Sequence, residues 1–256
     1  MTQAIVVERD GAVLILRLNR PDKKNALTRE MYGQLAQALE QADADASVHA
    51  LLICGTAECF TSGNDIADFL QQPPQDMSSP VFRFMRSLLE CRKPVVAAVA
   101  GAAVGIGTTL LLHCDLVYVS RDARLRMPFV NLGLSPEFGS SLLLPQLLGP
   151  VRAAQLLLLG EGFSGEQAAA WGLANAALPE GVATLEAARD AAQRLAALAP
   201  AAVQDSKRLL KTPGREQLRQ VIEDEGWLFI QRLNSPEAVA ALSGFMNKPR
   251  SPQPLP

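Results

Sequence analysis

The chain has 256 residues, of which 48% are hydrophobic and 20% charged, with a formal net charge of -2. That length can bury a substantial core in one or two domains, and the composition excludes a disordered chain. A near-neutral balance without a Lys/Arg run excludes nucleic acid as a partner.

Cys54, Cys59, Cys91 and Cys114 fit neither a disulfide framework nor a zinc pattern, and His49 and His113 lie far apart, so reduced thiols and no metal are expected. The opening MTQAIVVERDG has Glu8, Arg9 and Asp10 where a signal peptide needs its apolar core, and the closing Pro-Leu-Pro is no peroxisomal address. A cytoplasmic protein is the expectation.

Apolar runs at Ile5–Glu8 and Val13–Asn19 flank Asp10-Gly11, a hairpin signal. Thr28 then caps a helix to about Ala42, with Met31, Leu35, Ala38 and Leu39 at helical spacing. Ala50–Cys54 reads as a strand and Gly55–Asp68 as a loop. Gln71–Pro80, rich in proline, reads as a mobile segment. A helix over Val81–Cys91 leads to a strand at Val95–Ala100, a helix at Val104–His113 and a strand at Leu116–Ser120. Alternation of this kind predicts an α/β core with parallel strands. After Leu134 the sequence reads as almost wholly helical. Ser164 and Gln167 make a capping box before Ala168–Gly172. Helices follow near Leu185–Leu198, Ala201–Leu210, Glu216–Leu233 and Pro236–Asn247. No internal repeat is visible. The layout divides into a core over residues 1–195 and a helical C-terminal region over 196–256.

Val95–Leu112 carries no charge over 18 residues, the length of a membrane span. Gly101, Gly105 and Gly107 interrupt it, so a buried strand followed by a turn is the better reading and no membrane partner is expected. The turn itself, GAAVGIG, opens a helix and exposes backbone N–H groups where an anion or developing oxyanion is favoured. As a dinucleotide fingerprint it fails, because Leu110 occupies the third glycine position and no acidic residue follows at the required distance. A second turn, FTSGNDI at Phe60–Ile66, has the same strand–loop–helix reading, with Asp65 as a charge at the helix start. If the two loops meet, the N–H groups of Asn64 and Ile106 point into one cleft. Two donors on one oxygen form an oxyanion hole, each worth roughly 3–4 kcal/mol.

Glu137 lies between Ser135-Pro136 and Phe138-Gly139 without an ionic neighbour in sequence. A carboxylate among apolar runs is costly unless something uses it. It is a candidate acid/base, and equally a candidate cap for the following helix.

The segments LNRPDKKNAL, FTSGNDI, KPVVAAVAG with AVGIG, CDLVYVS and FSGEQAAAWGL together resemble the crotonase (enoyl-CoA hydratase/isomerase) superfamily over about residues 5 to 247. KKNALTREMY, SGNDIADF and LGLSPEFGSS are similar to the peroxisomal-type delta3-delta2-enoyl-CoA isomerases. The resemblance implies a spiral of ββα units, a C-terminal trimerisation region, and assembly as a homotrimer or a dimer of trimers. It implies an acyl-CoA thioester held around Ser62, Gly63, Asn64, Asp65, Ile66, Gly105 and Ile106. Lys23, Lys24 and Lys248 would meet the coenzyme A phosphates. No separate cofactor is implied, since coenzyme A enters with the substrate. Hydratases of the superfamily place two glutamates where this chain has Thr109 and Phe129. Without them ordinary hydration should be slow, whereas one carboxylate suffices to move a double bond from position 3 to position 2. Glu137 falls where the isomerases keep theirs. Hydration, thioester hydrolysis, dehalogenation or acyl-CoA binding without turnover are the rival readings.

Other residues suggest less. His113 reads as a partner of its own helix C-terminus, His49 as surface, and Trp171 and Trp227 as helix-packing residues. Ser62, Ser140 and Ser141 lack a nucleophile-elbow context.

Overall fold

The Asp10-Gly11 signal yields a hairpin in the computed structural model, which describes residues 3–247: β1 (Ile5–Asp10) runs antiparallel to β2 (Val13–Leu18), and Gly11 at φ +58° makes the turn. The further strands are β3 (Ala50–Cys54), β4 (Cys59–Thr61), β5 (Val95–Val99), β6 (Ala102–Val104), β7 (Leu116–Ser120), β8 (Arg124–Arg126), β9 (Gly162–Ser164) and β10 (Ala176–Leu178). The helices are α1 (Arg29–Ala44), α2 (Ile66–Gln71), α3 (Pro80–Glu90), α4 (Ile106–Thr109), α5 (Ser140–Leu148), α6 (Pro150–Leu158), α7 (Gly165–Ala170), α8 (Gly181–Ala196), α9 (Pro200–Lys211), α10 (Arg215–Leu233) and α11 (Pro236–Asn247).

A large sheet has the order β1-β2-β3-β5-β7-β10 and is parallel from β2 onward. A small sheet, β4-β6-β8-β9, is parallel except for its β8–β9 pair. Every residue of β3 and β5 is buried, as expected of parallel strands covered on both faces. Side chains alternate between two apolar layers. Leu52, Val96 and Ala98 meet Ala188 and Ala192 of α8, while Leu51, Ile53, Val95 and Ala97 join the main core with α1 and α3.

The backbone repeats where the sequence does not. A strand of the large sheet, a strand of the small sheet and a helix follow one another as β3-β4-α2, β5-β6-α4 and β7-β8-α5, the ββα spiral that the resemblance implies. Gly101 allows one of its corners: at φ +61°, its missing Cβ would lie 1.8 Å from the Glu58 carbonyl oxygen. The three units share no visible sequence pattern because only the corners and burial are common to them.

Thr28 caps α1 by accepting from the Met31 N–H, and Ser164 with Gln167 forms the expected capping box on α7. Elsewhere the local pattern misled. The Val104–His113 helix starts at Ile106 and ends in a 3-10 turn, its first residue belonging to β6. The stretch after Leu134 also contains β9 and β10. Within Gln71–Pro80 the Gln75 N–H donates to Ser79 Oγ and the Ser78 N–H to Asp76, which leaves the mobility expected of that segment untouched. No helix of the described residues is long and apolar enough to cross a membrane.

The main core continues into the C-terminal helices through Ile222, Phe229 and Leu233 of α10 and Ala238 and Leu242 of α11. Phe229 sits edge-on to Phe69 of α2, and Gly226 lets α10 approach Met77 and Phe82. Trp171 packs as expected, against Phe163, with the Arg152 guanidinium 4.3 Å from its ring centre. Trp227 does not: it is 48% exposed, because it lies on the outward face of α10.

Candidate active site

β4 and β6 are neighbouring parallel strands, so the loops that leave their C-terminal ends emerge side by side. Two glycines record the contact. Gly63, at φ +88°, would place a Cβ 2.8 Å from the Val104 carbonyl oxygen, and Gly107 would place one 2.5 Å from Thr61 Cγ2. A third segment, Arg20–Leu27, backs both loops. Asn25, fully buried at φ +53°, donates to the Cys59 and Phe60 carbonyls and accepts the Arg20 N–H. The Ser62 N–H donates to the Lys24 carbonyl at 2.9 Å, which sets the exposed Lys23-Lys24 turn against the loop.

Leu27 and Asn64 form a parallel bridge, in which the Leu27 N–H donates to Gly63 and the Asp65 N–H to Leu27. In that pattern the N–H of Asn64 itself faces away from Leu27. Ile106 is the first residue of α4, so its N–H has no intrahelical acceptor. Both expected donors thus stand at the ends of adjacent strands. Asp65 gives its carboxylate to Arg20 at 2.6 Å and to the Asp68 N–H at the start of α2, the structural role its position suggested. Ile66 packs on the main core, and a Cβ on Gly105 would lie 3.8 Å from the Phe129 ring.

Glu137 is 2% exposed, and Thr109 Oγ1 donates to its Oε1 at 3.2 Å. Burial raises its pKa to about 8 against the Thr109 bond, which lowers it, with the Glu225 charge adding a further rise. The two positions that hydratases fill with glutamate are both at this site: Thr109 touches Glu137, and Phe129 covers the Gly105 turn. Glu137 does not cap α5. The N–H groups of Gly139 and Ser141 donate instead to Glu225 of α10, at 2.6 and 2.9 Å.

Glu137 rides on a strained turn in which Phe138 (φ +56°) and Gly139 (φ +71°) are both left-handed. Its polar groups are taken from several sides, which is how strain of this kind persists. The Glu137 carbonyl accepts both the N–H and the hydroxyl of Ser140. The Phe138 carbonyl accepts from His113 Nε2 at 2.7 Å, and the two rings stack at 3.7 Å. His113 is therefore not engaged with its own helix end. Its 3-10 turn aims it across at Phe138, and burial pushes its pKa down to about 3, so it donates as a neutral imidazole.

Tyr32 was missed by sequence reasoning. Buried on α1, its hydroxyl donates to Asn64 Oδ1, and its ring packs on Phe84, which in turn meets Phe138. Burial, with the Glu137 and Asp68 charges nearby, holds the phenol protonated. It stands beside Met31 and three residues before Leu35, where the sequence carries no signal beyond that of a buried helix face. Lys248 lies outside the described residues. No cluster that could hold a metal occurs among the described residues.

A spiral of ββα turns, with two adjacent loops at the ends of β4 and β6 and a buried carboxylate bonded to Thr109 of α4, defines the class of fold to which the chain belongs. The sequence profile of the enoyl-CoA hydratase/isomerase family matches residues 8–253, and the chain belongs to that family. It is similar to Enoyl-CoA delta isomerase 2 of Rattus norvegicus, 32% identical over 96% of this chain, and spans 64% of that relative's length. It is 31% identical to 2,3-dehydroadipyl-CoA hydratase of Escherichia coli K12, over 95% of this chain and 96% of the relative. The solved structure of Pseudomonas aeruginosa OdaA is 64% identical and covers 96% of this chain and 100% of its own, with a TM-score of 0.95.

Proposed function

We propose that this protein is an enoyl-CoA isomerase that moves a double bond from position 3 to position 2 of an acyl-CoA thioester. The observation that carries this reading is Glu137, a buried carboxylate of raised proton affinity with Thr109 where a second carboxylate would stand. The thioester oxygen sits between the N–H groups of Asn64 and Ile106. Ionised Glu137 takes a proton from C2, and the electron pair spreads over C2–C4 and the oxygen as a dienolate, whose charge the two donors stabilise. Protonated Glu137 then returns the proton at C4, the double bond settles between C2 and C3, and the carboxylate is restored. Neither metal nor redox cofactor enters this balance. Exposed Leu158, Leu159, Leu209 and Leu210 support association with further copies, which we take as a homotrimer or dimer of trimers, and buried Cys54, Cys91 and Cys114 support a reducing, cytoplasmic setting. Lys23 and Lys24, beside the Ser62 loop, would meet the coenzyme A phosphates.

The test is the absorbance of the conjugated product when a 3-enoyl-CoA is supplied. The E137Q variant should lose activity by about three orders of magnitude or more. In the wild type kcat/KM should rise with pH up to about 8, because only the ionised carboxylate can begin the reaction. Unchanged turnover in E137Q would remove the reading. The hydratase names among the relatives favour hydration as a second reading, and faster consumption of 2-enoyl-CoA than of 3-enoyl-CoA would select it.

A further inference from the structure

Glu225 comes from α10, eighty-eight positions beyond Glu137 in the chain, yet its carboxylate closes the turn that carries Glu137. It is 7% exposed and accepts from the Gly139 and Ser141 N–H groups at 2.6 and 2.9 Å. The rest of α10 is shaped to the same turn. A Cβ on Gly139 would lie 2.4 Å from Leu218 and 3.3 Å from Ile222, so the helix lies almost against the backbone there. Glu225 has no cationic partner among its hydrogen bonds. A buried carboxylate held by Ser141 and the Gly139 N–H, with no cation among these partners, is an unusual choice for fastening a helix, which an apolar contact would do at less desolvation cost.

We propose that Glu225 is a positioning residue for Glu137: from α10 it fixes the turn bearing the reacting carboxylate and places a second negative charge beside it. The inference rests on the isomerase reading for the role of Glu137, and on the bonds from Glu225 to the turn that carries Glu137 for the link between the two residues. Its consequence concerns proton affinity. Burial raises the proton affinity of Glu225 as well, against its hydrogen bonds from Ser141 and Gly139, and once ionised its like charge disfavours ionisation of Glu137. The other groups facing Glu137 oppose this little. Thr109 on α4 is a neutral donor, Tyr32 on α1 stays protonated, and His113 beyond α4 is neutral. Lys211 acts on His113 and Asp68 on Tyr32, each one step further out.

The experiment follows the carboxyl titration of Glu137 by NMR in protein labelled with carboxyl-13C glutamate, its resonance identified by its loss in E137Q. In E225Q the midpoint should fall by roughly half a pH unit or more. The acid limb of kcat/KM should move with it, and the rate above the limb should drop about tenfold as the turn loosens. A titration that stays in place while the rate falls would mean that Glu225 is only structural, and overturns the proposal. A titration that moves in a protein without isomerase activity upholds the link and removes the isomerase reading instead. Should E225Q not fold, E225D is measured in the same way. It holds its charge one methylene further from the turn, so a smaller downward shift is expected and an unmoved midpoint overturns the proposal.

Discussion

At the scale of single residues, the site depends on polar groups that apolar surroundings make expensive. The hydroxyl of Tyr32 is one. It spends its hydrogen bond on the side chain of Asn64, whose own N–H is a proposed oxyanion donor. Removing that hydroxyl in Y32F leaves Asn64 free to turn, which should lower kcat about tenfold, change KM by less than about threefold and cost about 1 kcal/mol of stability. Steady-state kinetics with a urea titration checks this, and an unchanged kcat would mean that Asn64 is held without Tyr32. Glu137 could be picked out in the sequence because a lone carboxylate in an apolar run is conspicuous. Glu225 could not, since it follows Glu223 and Asp224 in a charged stretch that reads as a solvated helix face. Its neighbour Gly226, which admits Met77 and Phe82, was the sole local hint that this face turns inward.

At the scale of elements, caps and long strands were legible while corners and short strands were not. Thr28, Ser164 and the Asp10-Gly11 turn act within a few residues, so their chemistry is written locally. By contrast β4, β6, β8, β9 and β10 span three residues each, too few for alternation to appear, and they exist because neighbouring strands complete their hydrogen bonds. Their corners are nonetheless exacting. Gly63 stands where two loops cross, and G63A would need a left-handed alanine whose Cβ meets a backbone oxygen at 2.8 Å. The variant should lose roughly 2–3 kcal/mol of stability and bind acyl-CoA more weakly, because the Asn64 and Ile106 donors are pushed apart. Denaturant unfolding and calorimetric titration with acyl-CoA measure both effects.

At the scale of the whole molecule, two buried titratable groups shape stability against pH with opposite slopes. Glu137 has its pKa near 8 in the fold against 4.5 when free, so the unfolded chain gives up that proton first. Stability therefore falls as pH rises from about 4.5 to 8, by several kcal/mol when complete. His113 runs the other way: with its pKa near 3 in the fold against 6.5 when free, it costs stability as pH falls from 6.5 toward 3. E137Q should match the wild type in urea midpoint near pH 4.5 and become progressively more stable toward pH 8. Equal midpoints at pH 8 would mean that Glu137 ionises without penalty. The division of the chain near residue 195 follows the point where strands give way to helices alone, and the apolar cluster runs on across it to Leu242.

The pairing of β4 with β6 also acts as a ruler. Adjacent strands stand about 4.8 Å apart, and Asn64 and Ile106 each follow one of them by two or three residues. An acceptor taking two N–H bonds of about 2.9 Å fits across that interval with its lone pairs spread at a natural angle. On the proposed reading the pitch of the sheet sets the gauge of the site, so the chemistry of its third wall can change from Thr109 or Phe129 outward without disturbing the two proposed donors.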